Sequence, residues 1–231
     1  MNKAVRKLII KNKDFILTSL LGLIFAIGFG FFLYKGYLGK SQEDLIILFS
    51  YILIIGLYMI NINSLLVSLP VKDKLTGKLE FILGSGIGIR SYIRAYGLEI
   101  WRMSSLAPFL VFYISYVAYD FSLAFAYVMV IYLTSILMAY LMTMSMVIFS
   151  LYQENFKFFK NLLFFTTSFL IYLVGNLSRS IIGFLNEKGI EISFFLIGIN
   201  LCLILVFCFY LFFKFKNITN EEIIIREGSW S

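Results

Sequence analysis

Charge is scarce in this chain: only 14% of its 231 residues are Asp, Glu, Lys or Arg, while 61% are hydrophobic. Soluble domains carry roughly 25% charged and about 45–50% apolar residues. A soluble globule of this length has too little interior to hide such an apolar excess. Lipid as solvent resolves it. Histidine is absent, which excludes His-dependent metalloproteases and His-based acid–base chemistry. Only two prolines occur, which suits long helices. The two cysteines, Cys202 and Cys208, fall in one apolar run. Six residues apart on a helix they diverge by about 120°, so they are expected to be buried, inert thiols. There is no GxxxxGK[ST] loop, so the chain is not expected to hold ATP.

What is present is a series of continuous apolar runs near the roughly 20 residues that a spanning helix needs. Barrels need strands of alternating polarity, and these runs do not alternate. The expected fold is all-α and polytopic, a single transmembrane unit over residues 1–231. Six spans are placed near 15–34, 45–69, 103–119, 123–151, 158–177 and 192–213. The third and fourth are divided at Asp120, which offers a tight turn. Residues 1–14 are basic, and no small-residue cleavage site follows, so they read as the flank of a retained first span.

Basic residues orient the chain by the positive-inside rule. With both termini cytoplasmic, sixteen of the 20 Lys and Arg residues lie inside. They are Lys3, Arg6, Lys7, Lys11, Lys13, Lys72, Lys74, Lys78, Arg90, Arg94, Arg102, Lys157, Lys160, Lys214, Lys216 and Arg226. Lys35, Lys40, Arg179 and Lys188 lie outside. The net charge of +7 thus reads as membrane orientation, with no nucleic-acid partner.

One cytoplasmic segment, 70–102, is long. Leu75, Leu79, Ile82 and Leu83 fall at i, i+4, i+7 and i+8, one face of a helix, with Lys74, Lys78 and Phe81 off that stripe. Gly84, Gly86 and Gly88 then end the helix. A second amphipathic piece carries Ile89, Tyr92, Ile93 and Tyr96. Such a segment suits either docking to a cytoplasmic partner or resting on anionic lipid. Near the N-terminus, Val5, Leu8 and Ile9 among basic residues make a short amphipathic stretch.

The run Asp73-Lys74-Leu75-Thr76-Gly77-Lys78-Leu79-Glu80-Phe81-Ile82-Leu83 resembles the signature of ABC-2 type permeases, the membrane subunits of one class of ATP-binding-cassette transporters. In that family an acidic–basic pair, Gly-x-Leu-Glu and a leucine pair follow the second span. Two departures stand out: Gly86 sits where a proline is common, and Lys74 where Arg is usual. The resemblance covers the six-span layout as well. It implies a coupling helix that contacts an ATPase through Lys72, Asp73, Lys74, Gly77, Lys78, Leu79, Glu80 and Leu83, and an N-terminal elbow helix over 1–14. It further implies two ATPase subunits that carry ATP and Mg, a second permease copy or homologue, and a bacterial cytoplasmic membrane. Small permeases of this kind resemble exporters of peptide toxins and bacteriocins, phenol-soluble modulins among them.

Within the spans, Gly22, Ala26 and Gly30 form a small-xxx-small series that permits close helix approach, either across a dimer face or within one subunit. Ser50, Tyr51, Tyr58, Asn61 and Ser68 share an arc of the second span. Asn161, Ser168, Tyr172 and Asn176 share one on the fifth. Tyr51, Tyr58, Asn61, Ser168, Tyr172 and Asn176 are candidates for a translocation path or for interhelix hydrogen bonds. Thr134, Met138, Met142 and Ser145 line one side of the fourth span. No charge lies near the middle of any span, unlike ion-coupled transporters. The expected function is therefore a non-enzymatic permease that moves amphipathic or hydrophobic cargo, peptides first, driven by a separate ATPase. Export of drugs, lipid-linked polymers or haem-related cargo, a non-transporting scaffold or immunity protein, and a stand-alone channel are the alternatives.

Overall fold

The structure, a computed structural model, describes residues 1–32, 35, 43–119 and 123–226. Among the described residues there are helices and no strands. In chain order they are α1 (Asn2–Ile10), α2 (Lys13–Phe32), α3 (Glu43–Leu66), α4 (Lys72–Leu75), α5 (Lys78–Gly84), α6 (Ile89–Ser104), α7 (Leu106–Tyr119), α8 (Phe125–Tyr152), α9 (Phe156–Lys188), α10 (Ile192–Asn217) and α11 (Asn220–Ile225). A π turn at Val67–Val71, holding Pro70, joins α3 to α4 in one rod. Five helical segments are long and apolar enough to cross a membrane: Lys13–Phe32, Glu43–Leu75, Ile89–Val117, Phe125–Tyr152 and Ile192–Asn217. This makes the chain a multi-pass membrane protein. Helix α9 is longer than all of the single helices named with it, at 33 residues, and residues 161–178 of it carry no charge.

Several boundaries differ from the sequence-based ones. Span three is not a helix starting at 103. A helix already begins at Ile89, and a break at Ser105 hands over to α7. Pro108, in the first turn of α7, explains the break, because proline has no N–H to extend the ladder backward. The outer segment expected after 177 is helical to Lys188, and ends where Gly189 takes φ 65°, a left-handed cap that glycine accepts without steric cost. The turn at Asp120 lies outside the described residues. The stripe of Leu75, Leu79, Ile82 and Leu83 is not on one continuous helix: Gly77 at φ 69° separates α4 from α5.

Helix α3 is central and packs against α2, α6, α7, α8 and α9. The largest core lies toward one end of the bundle rather than at its middle. It draws Val5 and Ile9 from α1, Leu79 and Leu83 from α5, and Tyr92, Ile93 and Ile100 from α6. Leu151 of α8, with Ile218 and Ile223 of the C-terminal segment, completes it. Helices α1 and α11 thus pack at one end of the bundle, around α6. Asn12 separates α1 from α2, its Oδ1 accepting from the Phe15 N–H at 3.1 Å, as an N-cap does.

Cys202 and Cys208 are exposed on α10, which corrects the expectation of buried thiols. An apolar run on a peripheral helix points many of its side chains outward, into what is lipid for such a protein.

Candidate functional site

The segment after α3 was expected to present its charged motif outward. The structure divides that motif in two. Asp73 and Lys74 are buried, at 4% and 7% exposure. Asp73 Oδ2 accepts hydrogen bonds from the Tyr92 hydroxyl at 3.1 Å and from the Tyr96 hydroxyl, and Oδ1 pairs with Lys78 Nζ at 2.6 Å. A carboxylate can accept at several lone pairs, so three donors satisfy it. Lys74 Nζ donates to the carbonyls of Leu151 at 2.7 Å and Gln153 at 2.9 Å, and lies 5.5 Å from the centre of the Phe156 ring. It thereby caps the last turn of α8, where carbonyls lack helical partners and the helix dipole favours a cation.

Leu79 and Leu83 are buried in the end core. The outward remainder is Lys72, Lys78, Glu80 and Phe81, the last 78% exposed. Gly77 makes the turn between the two halves. The exposed face of α5 is therefore short and bolted down: Asp73 ties its base to α6, and Lys74 ties it to α8.

Two further ties were not found from the sequence. Glu99 of α6 has no exposure and pairs with Arg6 of α1 at 2.8 Å and with Arg102 at 3.3 Å. Its carboxylate holds the Arg6 guanidinium above its usual pKa, by hydrogen bonding first and charge second. The spacing of Glu99 and Arg102 by three was a visible signal. The distant partner Arg6 was not. At the other end of α6, Asn220 Oδ1 accepts from the Ile89 N–H at 2.8 Å. Gly88, the residue that opens this helix, has no side chain to do so.

The polar arcs of the spans have separate fates. Tyr51 donates to Asn200 Oδ1 at 2.6 Å, and Asn200 Nδ2 donates to Ser135 and Thr134 at 2.9 and 3.0 Å. Tyr58 lies 3.1 Å from the Thr143 hydroxyl. Asn61 Nδ2 donates at 3.4 Å to the Ser104 carbonyl, the acceptor that Pro108 leaves without a helical donor four residues on. The span-two residues thus bond helix to helix in the interior. Ser168, Tyr172 and Asn176 of α9 instead face outward, and Asn176 donates along its own helix, to the Tyr172 carbonyl at 2.9 Å. Of the two arcs, Ser68 and Ser168 line one crevice, while Tyr51, Tyr58 and Asn61 bond to other helices. Asn200, the hub of the interior network, was missed because a lone Asn in an apolar run shows nothing of its partners.

Gly22, Ala26 and Gly30 face inward. A Cβ at Gly22 would meet Leu57 Cδ1 at 2.5 Å, and Ala26 packs with Leu57, Ala107 and Val111. This series packs α2 onto α3 and α7 within the chain. Met138 and Met142 are buried in the main core, so the methionine side of α8 is packing too.

No family model matches the chain, and no curated protein or solved structure is similar to it. The site is therefore read from its geometry. Apart from that site, a crevice of about 450 Å³ lies between α2, α3 and α9, with Asp14, Thr18, Ser64, Ser68, Lys160 and Ser168 among its walls.

Proposed function

We propose that this chain is the membrane subunit of an ATP-driven exporter of the ABC-2 type, in the cytoplasmic membrane of a bacterium. The carrying observation is the anchored face of α5. Phe81 is a large apolar side chain exposed at 78% beside Glu80 and Lys78, in a segment whose base is fixed to α6 and α8 through Asp73 and Lys74. A push on Phe81 by a docked ATPase has stiff routes into two long helices. That is what coupling needs.

Six spans and cytoplasmic termini fit this reading. Helix α1 packs on α6 and Asn220 of α11 bonds the start of α6, which supports termini on one side, and the uncharged stretch of α9 is long enough for a sixth crossing. Helix α1 then serves as the elbow. The outward Ser168, Tyr172 and Asn176 are polar groups on a membrane helix, where burial against protein is favoured over lipid. A second copy or a homologue over this face covers them and places the cargo path at the boundary between copies, for amphipathic or hydrophobic cargo such as peptides. ATP and Mg belong to the partner ATPase, and the chain does no covalent chemistry.

The test is co-purification with a candidate ATP-binding-cassette ATPase from the same genome. Glu80→Ala and Phe81→Ser should each reduce ATPase recovery severalfold while the membrane subunit keeps its yield and melting temperature. Undiminished recovery in both variants contradicts the assignment.

A further inference from the structure

The crevice between α2, α3 and α9 is graded along its length. Its mouth lies where α2 and α9 begin and α3 has just ended, and it holds Asp14 on one wall and Lys160 on another. Hydroxyls follow, from Thr18 and Ser64. Ile60 lies deeper than Ser64 on α3; on α9, Phe164 is level with Thr18 and Ser168 lies one turn deeper. At 1.5 Å per helical residue, Thr18 is about 6 Å beyond Asp14, and Phe164 about 6 Å beyond Lys160. Headgroup and interface add roughly 5–8 Å on each side of the hydrocarbon core, so the step from the charged mouth to Thr18 has the depth of that layer. Asp14 and Lys160 are both exposed, and neither is in an ion pair among the described residues.

We infer that this crevice holds one zwitterionic phospholipid from the leaflet at the end of the bundle that carries α1. Lys160 meets the phosphate, and Asp14 meets the ammonium group. Thr18 and Ser64 lie level with the glycerol and its esters, and an acyl chain runs over Ile60 and Phe164. Charge at the mouth, the hydroxyls of Thr18 and Ser64 behind it, and the apolar Ile60 beyond Ser64 follow the order of groups along such a lipid. Free phosphate has no use for the apolar depth. An anionic lipid leaves Asp14 facing negative charge, although Lys13 and Lys157 start the same helices and make it the natural competitor. The inference needs only a chain seated in a bilayer. It depends on neither export nor an ATPase, so it stands or falls separately from them.

The test titrates the full, delipidated chain in detergent with phosphatidylethanolamine and phosphatidylglycerol of matched acyl chains, read by native mass spectrometry. The first bound phosphatidylethanolamine should be favoured over phosphatidylglycerol by about fivefold, the scale of one exposed charge contact. Lys160→Gln should weaken both lipids. Asp14→Asn should erase the preference while leaving lipid bound. Lys188→Gln, at the far end of α9, should change neither. Equal binding of the two lipids by the unaltered chain overturns the inference, and so does a preference that survives Asp14→Asn.

Discussion

Lys74 shows how far a residue's role can sit from its place in a motif. Beside Asp73 it looked like half of a docking pair, but its ammonium group closes the end of α8. Removing it leaves two carbonyls without their donor, and an unsatisfied buried polar group costs about 1–3 kcal/mol. Lys74→Met should therefore lower the melting temperature in detergent. Asp73 gives a sharper comparison. Asp73→Asn keeps an acceptor for the Tyr92 and Tyr96 hydroxyls and should cost little, whereas Asp73→Leu strands both and should cost about 1–3 kcal/mol more. Equal melting temperatures for the two Asp73 variants would contradict the anchoring role. The resemblance singled out both charges for docking. Their inward direction depended on Tyr92, Tyr96 and the end of α8, which no local pattern supplies.

At the scale of elements, period and breaker residues were informative where one helix decides the outcome. The glycines at 84, 86 and 88 end α5 and open α6 as expected, and the leucine stripe does face a core. Gly77 was read as part of a motif. Its left-handed backbone, which splits the stripe between α4 and α5, came only with the structure. A Cβ there would find ordinary contact with Glu80 at 3.7 Å, so the penalty for Gly77→Ala is conformational, about 1–2 kcal/mol. The expected result is a loss of stability of that size without loss of fold, measured by thermal unfolding. Gly77→Trp would add bulk to the same strain, so substitutions at Glu80 and Phe81 isolate docking better. The arc of Tyr51, Tyr58 and Asn61 was legible too, but whether it lined a path or joined helices rested on Asn200, Thr143 and Ser104 in other elements.

The whole molecule is a bundle of long apolar helices with a packed, partly polar end. Composition made its membrane character plain, because nothing else accounts for so little charge. The end core was not legible: it joins α1, α5, α6, α8 and α11, whose contacts are distant in sequence. That core turns a short exposed helix into a rigid handle on the spans. We propose that an ATPase takes hold of this handle at Phe81. A photoreactive amino acid placed singly at positions 81, 80, 79 and 83 in cells that also make the candidate ATPase measures that directly. The account predicts adducts with the ATPase from 81 and 80 and none from the buried positions 79 and 83. No adduct at 81, or equal adducts at all four positions, would contradict it.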